Sequence, residues 1–248
     1  MAICNTHNVK VIEDCAHTMG ASWAGVASGR HGIIGCYSCQ TYKHLNSGEG
    51  GLLVTDDDEI IARAIVLSGS YMLFEQHRSI PDLAVFEKIK LETPNISGRM
   101  DNLRAAILRP QLSDLRDRVS RWNERYKIIE DGLRNVPIIK IIERAEDEAY
   151  VGSSLQFKIP KTNGNQIQIF LNGCMKRGVE LKWFGANAPK AFTSKYDSWA
   201  YIEPQELVNT DRILSGLIDM RLPLTFSLKD CQIVARIISS EAMKLSKA

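Results

Sequence analysis

One segment constrains this chain more than any other: Cys36-Tyr-Ser-Cys-Gln-Thr-Tyr-Lys43-His-Leu-Asn-Ser-Gly48-Glu-Gly-Gly51. An apolar run from Ile33 to Tyr37 leads into it, and a glycine-dense turn leads out into Leu52-Leu-Val-Thr55. The pattern predicts strand, tight loop, strand, with one amine displayed at the joint. A lysine crowded into a loop can be desolvated, which favours the neutral amine and makes it a Schiff-base nucleophile. An ordinary exposed loop lysine is the competing reading of the same residues.

The bulk numbers bound the rest. A length of 248 residues allows one large domain or two smaller ones. Hydrophobic residues at 44% and charged residues at 24% are usual for a soluble globular chain. Lys plus Arg number 31 against 29 Asp plus Glu, so no basic excess points to nucleic acid. No apolar stretch reaches the length of a membrane span. The first eight residues show neither a basic region nor an apolar signal core, so the expected location is the cytoplasm. No nucleic-acid or membrane partner is expected.

Cysteines stand at 4, 15, 36, 39, 174 and 231, too sparse for a disulfide scaffold. Cys36 and Cys39 form a C-x-x-C, but inside an apparent strand rather than at a helix N-terminus. No second pair with zinc spacing accompanies them, so no metal site is expected. Buried structural thiols are the expectation.

Asn8 to Asp14 reads as a buried strand ending in carboxylates, where α/β proteins place chemistry. Ala16 to Arg30 reads as a short helical or irregular crossover. Strands follow at 33–39 and 52–55. Asp56 to Leu67 has acids in its first turn and apolar residues at helical spacing, which predicts a capped helix. Ser68 to Ser97, punctuated by Pro81 and Pro94, reads as a long loop. From Met100 the residues Leu103, Ile107, Leu108, Leu112, Leu115, Val119 and Trp122 are spaced to line one helix face, with Pro110 expected to kink or divide it. The charged residues Arg116, Asp117, Arg118, Arg121, Glu124 and Arg125 are expected to be a solvated face. After Pro137, strands are predicted at 138–142, 154–159 and 179–182, and helices at 166–176, 205–214 and 228–243. This alternation indicates an α/β or α+β unit. A domain boundary is placed near residue 120, giving domains 1–120 and 121–248.

Three groups stand in order: Glu13-Asp14-Cys-Ala-His17, then Ser38 with Lys43 and the Gly48–Gly51 segment, then Arg99-Met-Asp-Asn-Leu-Arg-Ala-Ala-Ile107. In this order and at these spacings, with Leu222-Pro223-Leu224 before the last helix, they resemble the DegT/DnrJ/StrS family of sugar aminotransferases. The resemblance spans nearly the whole chain. It implies an α/β fold, the fold-type I of pyridoxal-phosphate transferases, with a truncated large domain of mixed or parallel sheet and a small C-terminal α/β domain.

The resemblance also implies site roles. Asp14 would keep the cofactor's ring nitrogen protonated. His17 would contact the ring and its phenolic oxygen. Ser38 would help hold the phosphate. Lys43 would carry the cofactor as a Schiff base and move the proton during amino transfer. The presence of lysine, with His44 after it, favours transamination over the dehydration of some relatives. The implied substrates are an amino-acid donor, glutamate or glutamine, and a keto-sugar, often nucleotide-linked, or keto-cyclitol. A homodimer is implied as well.

Two departures accompany the match. The family's Asn two residues before the Arg of the third group is Ser97 here, with Asn95 two residues earlier. Either could reach the neighbouring subunit's phosphate. Family members also carry polypeptide ahead of the Asp14 strand, including a phosphate-binding Gly-Ser/Thr segment. A second expectation therefore stands beside the first: a catalytically impaired fragment or remnant acting as an assembly partner. A thioredoxin-like redox protein built on Cys36 and Cys39 is the weakest reading, because the helix-terminus context is absent.

Overall fold

The computed structural model describes residues 1–190, 194–203 and 205–245. Its elements begin with α1 (Ala2–Thr6), β1 (Ile12–Asp14), β2 (Ser22–Trp23), β3 (Val26–Ala27), β4 (Ile34–Ser38) and β5 (Gly51–Val54). Helices α2 (Asp58–Gly69), α3 (Leu83–Ile89), α4 (Asn102–Ser113) and α5 (Leu115–Arg134) follow. Next come β6 (Lys140–Ile141), β7 (Glu148–Ala149), β8 (Ser154–Lys158), α6 (Gly164–Lys176) and β9 (Lys182–Trp183). The described part ends with α7 (Val208–Leu214), β10 (Leu217–Arg221) and α8 (Leu228–Leu245). Two units result: Met1–Asp117 with Glu146–Val151, and Arg118–Ala145 with Gly152–Ala248.

In the first unit β4 is the middle strand of the sheet β1-β4-β5. β1 runs parallel to it, with Asp14 beside Cys36, and β5 runs antiparallel, with Gly51 beside Ser38. α2 starts where Asp57 accepts the Ile60 N–H, and Asp58 and Glu59 complement the positive helix end. Its Ala62, Ile65 and Val66 pack with Phe74, Phe86 and Ile89, the two phenyl rings stacking at 4.3 Å.

That cluster corrects the expectation of a long loop over 68–97. The prolines bracket α3 rather than forbid it, and Asp82 caps it by accepting the Ala84 N–H. The expected crossover over 16–30 is instead a hairpin. Its turn residues Ala24 and Gly25 have φ of 47° and 78°, the left-handed pair that a two-residue hairpin loop requires. β7 adds to its edge from more than a hundred residues away.

The predicted long helix divides, but not at Pro110. α4 carries Pro110 inside it and stops at Asp114. The exposed position of Pro110 lets water take up the carbonyl it leaves unbonded. The predicted apolar face is also corrected. Leu108 and Trp122 are buried, but Leu103, Ile107 and Leu112 are 73%, 43% and 55% exposed.

The second unit holds the antiparallel sheet β6-β8-β10-β9. Leu155 and Phe157 of β8 and Ile218 of β10 form its core with Ile167 and Phe170 of α6 and Ile238 of α8, all at 0–1% exposure. Phe157 meets Phe170 edge to face at 6.5 Å. Helices α5 and α8 approach closely at Gly132, where a Cβ would lie 2.7 Å from that of Ala235. α6 opens with a capping box: Asn163 accepts the Gln166 N–H and Gln166 accepts the Asn163 N–H.

The charged face predicted on α5 needs one correction. Arg125 is buried, and its guanidinium donates to Phe226 O at 2.7 Å and to Arg121 O at 2.8 Å. Nearby, Trp122 Nε1 donates to Leu222 O at 2.9 Å. No helix among the described residues is long and apolar enough to cross a membrane.

Candidate active site

The carboxyl ends of β1 and β4 point the same way because the two strands are parallel. Asp14 and Cys36 are register partners and so share a face of the sheet, and Ser38 lies two residues on, on that same face. Asp14 Oδ1 accepts the Ala16 N–H at 3.0 Å, which turns the chain sharply out of β1. Cys15 N–H donates to Cys36 O, and Thr18 N–H to Cys15 O, so the turn that carries His17 is pinned on both sides.

Beyond Ser38 the chain enters the lysine loop. Cys39 N–H donates to Gly50 O at 2.8 Å and Thr41 N–H to Gly48 O at 3.0 Å, which closes the loop's base. Gly50 adopts φ 135°, and a Cβ there would fall 2.7 Å from Met100 Cε. Cys39 and Leu45 are fully buried and pack with Met19 and Leu108. Gln111 of α4 binds both backbone groups of Asn46: its Nε2 donates to the carbonyl at 2.7 Å and its Oε1 accepts the N–H at 3.1 Å. Lys43 N–H donates to Gln40 O at 2.9 Å. The loop is therefore held at both ends and in the middle. Its amine lands beside the β1 turn, with Lys43 Nζ 2.7 Å from His17 Nε2.

Glu13 occupies the opposite face of β1 and was given no role from sequence beyond its neighbourhood to Asp14. Its carboxylate accepts three backbone N–H groups: Gly29 at 2.8 Å, His31 at 2.6 Å and Gly32 at 2.6 Å. Burial alone would raise its pKa, but the N–H groups of Gly32, Gly29 and His31, with the charge of His31, outweigh burial and hold it below its ordinary value. The loop it clamps leads directly into β4. Tyr37 of β4 donates to Ser28 O in that same loop. Burial above all, with the nearby Glu13 carboxylate, pushes the Tyr37 phenol up against the opposing pull of Arg30, so it remains a donor. Gln111 is the other residue the sequence did not expose. An isolated glutamine on a helix carries no signal of the loop it will hold, 65 residues away.

The third sequence group forms a cluster with the end of α2. Arg99 donates to Gly69 O at 2.7 Å and stacks over Tyr71 at 5.3 Å. Asn95 Oδ1 accepts the Ser97 N–H at 2.8 Å and the Ser97 hydroxyl at 3.3 Å.

The expected burial of both C-x-x-C thiols is corrected for one of them. Cys39 is buried, and its thiol is pushed up by that burial, whereas Cys36 is exposed. β4 ends at Ser38, so Cys36 projects from the uncovered face and Cys39 drops into the loop's small core.

The donor set fits pyridoxal phosphate. A primary amine, a carboxylate at a strand end and a serine hydroxyl are the types needed for its aldehyde, ring nitrogen and phosphate. Ser38 Oγ accepts the Gln40 N–H at 3.3 Å, which leaves its own proton to donate.

The family model of the DegT/DnrJ/EryC1/StrS aminotransferase family matches residues 1–239. L-glutamine:scyllo-inosose aminotransferase of Streptomyces griseus is 48% identical over 62 residues, 25% of this chain and 15% of that one. GDP-perosamine synthase of Caulobacter vibrioides is 31% identical over 130 residues, 50% of this chain and 32% of that one. Among solved structures, the aminotransferase TlmJ from Streptoalloteichus hindustanus superposes with a TM-score of 0.79 at 19% identity, over 99% of this chain and 62% of its own. PseC of Helicobacter pylori gives 0.78 at 14% identity, over 98% and 62%. The chain thus has the fold of these aminotransferases, and spans less than two thirds of the length of the relatives it matches.

Proposed function

The chain belongs to the DegT/DnrJ/EryC1/StrS aminotransferase family, and from that premise we propose that it is a pyridoxal-phosphate-dependent aminotransferase. It would move an amino group from glutamine or glutamate to a keto-cyclitol or keto-sugar. Relatives named as glutamine:scyllo-inosose and glutamine:2-deoxy-scyllo-inosose aminotransferases support the cyclitol side of that reading. The same reading has it act as a homodimer in the cytoplasm.

The observation that carries the proposal is the contact of Lys43 Nζ with His17 Nε2, beside the ends of the two strands that bear Asp14 and Ser38. When bound, the cofactor supplies an electron sink for the pair left at a substrate carbon on loss of its proton. Lys43 would hold the cofactor and move a proton at Nζ between donor and acceptor positions. Asp14 would keep the ring nitrogen protonated by offering a carboxylate to its N–H. Ser38 would donate its hydroxyl proton to the phosphate. The clamp of Glu13 fixes the loop that leads into β4, and the bonds of Gln111 fix the loop that carries Lys43.

Titration of the purified protein with pyridoxal phosphate tests the proposal. A visible absorbance band should grow to one equivalent and be absent in Lys43→Ala. No band in the wild type, or an equal band in Lys43→Ala, would leave the impaired assembly partner as the better reading.

A further inference from the structure

We infer that His17 takes up and returns the proton at Lys43 Nζ. The inference rests on the reading of Lys43 as the reactive amine, and assigns to this chain a specific partner for it. Nζ and Nε2 stand 2.7 Å apart. At that separation two nitrogens require one hydrogen between them, because two facing lone pairs repel and two facing N–H groups clash. One hydrogen therefore lies between the two nitrogens, and the tautomer of the ring decides which of them donates it.

The contact is built from both sides. His17 comes from a turn fixed by the Ala16 N–H to Asp14 and the Thr18 N–H to Cys15. Lys43 comes from a loop fixed by its own N–H to Gln40, by buried Leu45 and by Gln111 on Asn46. His17 is exposed, so its ring can pass a proton on to water.

The chemistry needs such a group. When an amine nitrogen bonds to an electrophilic carbon it becomes positively charged. The charge is relieved when an N–H bond breaks, its electron pair stays on nitrogen and the proton leaves. His17 Nε2 is placed to receive that proton, and to give it back when the carbon–nitrogen bond breaks.

Carbamoylation by cyanate tests this without the cofactor. The amine of Lys43 adds to the carbon of isocyanic acid, the reagent's carbon–nitrogen π pair moves to its nitrogen, and one amine proton follows to that nitrogen. Mass spectrometry of peptides gives the rate at Lys43, with exposed Lys229 as the reference within the same molecule. Wild-type Lys43 should react at least about a hundredfold faster than in His17→Ala, the low end of general acid–base effects. Imidazole added to His17→Ala should restore the rate. His17→Gln, which keeps a hydrogen-bonding side chain but takes up no proton, should stay slow.

Equal rates in wild type and either variant, or no rescue by imidazole, would overturn the inference. Melting curves of both variants establish that each is folded. The two readings fail separately. A cofactor band in wild type with unchanged cyanate rates in the variants sinks only the role of His17. Fast, His17-dependent cyanate labelling with no cofactor band sinks only the aminotransferase reading.

Discussion

β10 of the second unit has Ile218 at 0%, Asp219 at 3% and Met220 at 4% exposure, while β5 of the first leaves Leu52, Leu53 and Val54 at 37–40%. β1, which carries Asp14, leaves Ile12 65% exposed. One sheet is finished within its own unit, with helices α6 and α8 contributing to its core. The other has apolar side chains on view and edges at β1 and β5 that no described strand covers. The lesson concerns where rigidity comes from. The lysine loop does not draw its order from a thick core beneath the sheet. It draws it from a small cluster, Met19, Cys39, Leu45 and Leu108, and from hydrogen bonds onto its backbone. A site can be locally well held on a sheet that is sparsely covered, because caps, clamps and loop bonds act over a few ångströms.

The sharpest way to break this comparison is to cut side chains from both sheets. Phe157→Ala removes a fully buried ring packed on Phe170 and should cost about 3–5 kcal/mol in urea unfolding. Leu53→Ala removes an exposed side chain and should stay within about 0.5 kcal/mol. Similar losses at the two sites would mean that the β5 face is covered in solution.

Capping should show no such contrast, because it is local. Asp57→Ala on α2 and Asn163→Ala on α6 should each cost about 1 kcal/mol, read by the same unfolding curves. A large difference between them would show that the two units differ in more than sheet coverage.

The smallest effect belongs to Glu13 and is confined to acid. Its folded pKa lies below the ordinary 4.5, so the folded state binds fewer protons than the unfolded one in the window between the two values. Its contribution is present above the unfolded value and is lost as pH falls through the folded one. Melting temperature should therefore fall more steeply with acid in the wild type than in Glu13→Gln. Parallel curves would show that the clamp contributes no acid sensitivity.

Much of this was legible where the signal is local. The lysine loop between two strands shows in the apolar run, the single amine and the glycines. α6 shows in Asn163 and Gln166 at cap spacing, and α8 in its apolar periodicity. The rest depended on distant partners or on exceptions to pattern. β10 was not read as a strand, since Asp219 interrupts its apolar run. That carboxyl is buried between β8 and β9, and burial pushes its pKa up against the pull of Arg221. The hairpin at β2 and β3 turns on Ala24-Gly25, which lacks the asparagine or aspartate that usually announces such a turn. α3 was hidden by prolines that mark only its surroundings. Arg125 looked like part of a solvated charge row, and its burial depends on Phe226, 101 residues away.

The most direct measurement of the central claim is reductive trapping. The protein is incubated with pyridoxal phosphate, reduced with borohydride, digested and mapped by mass spectrometry. A single pyridoxyl group on Lys43, reaching one per chain before any other lysine is labelled, is the predicted result. Label spread over exposed lysines such as Lys229, with none on Lys43, would contradict the account.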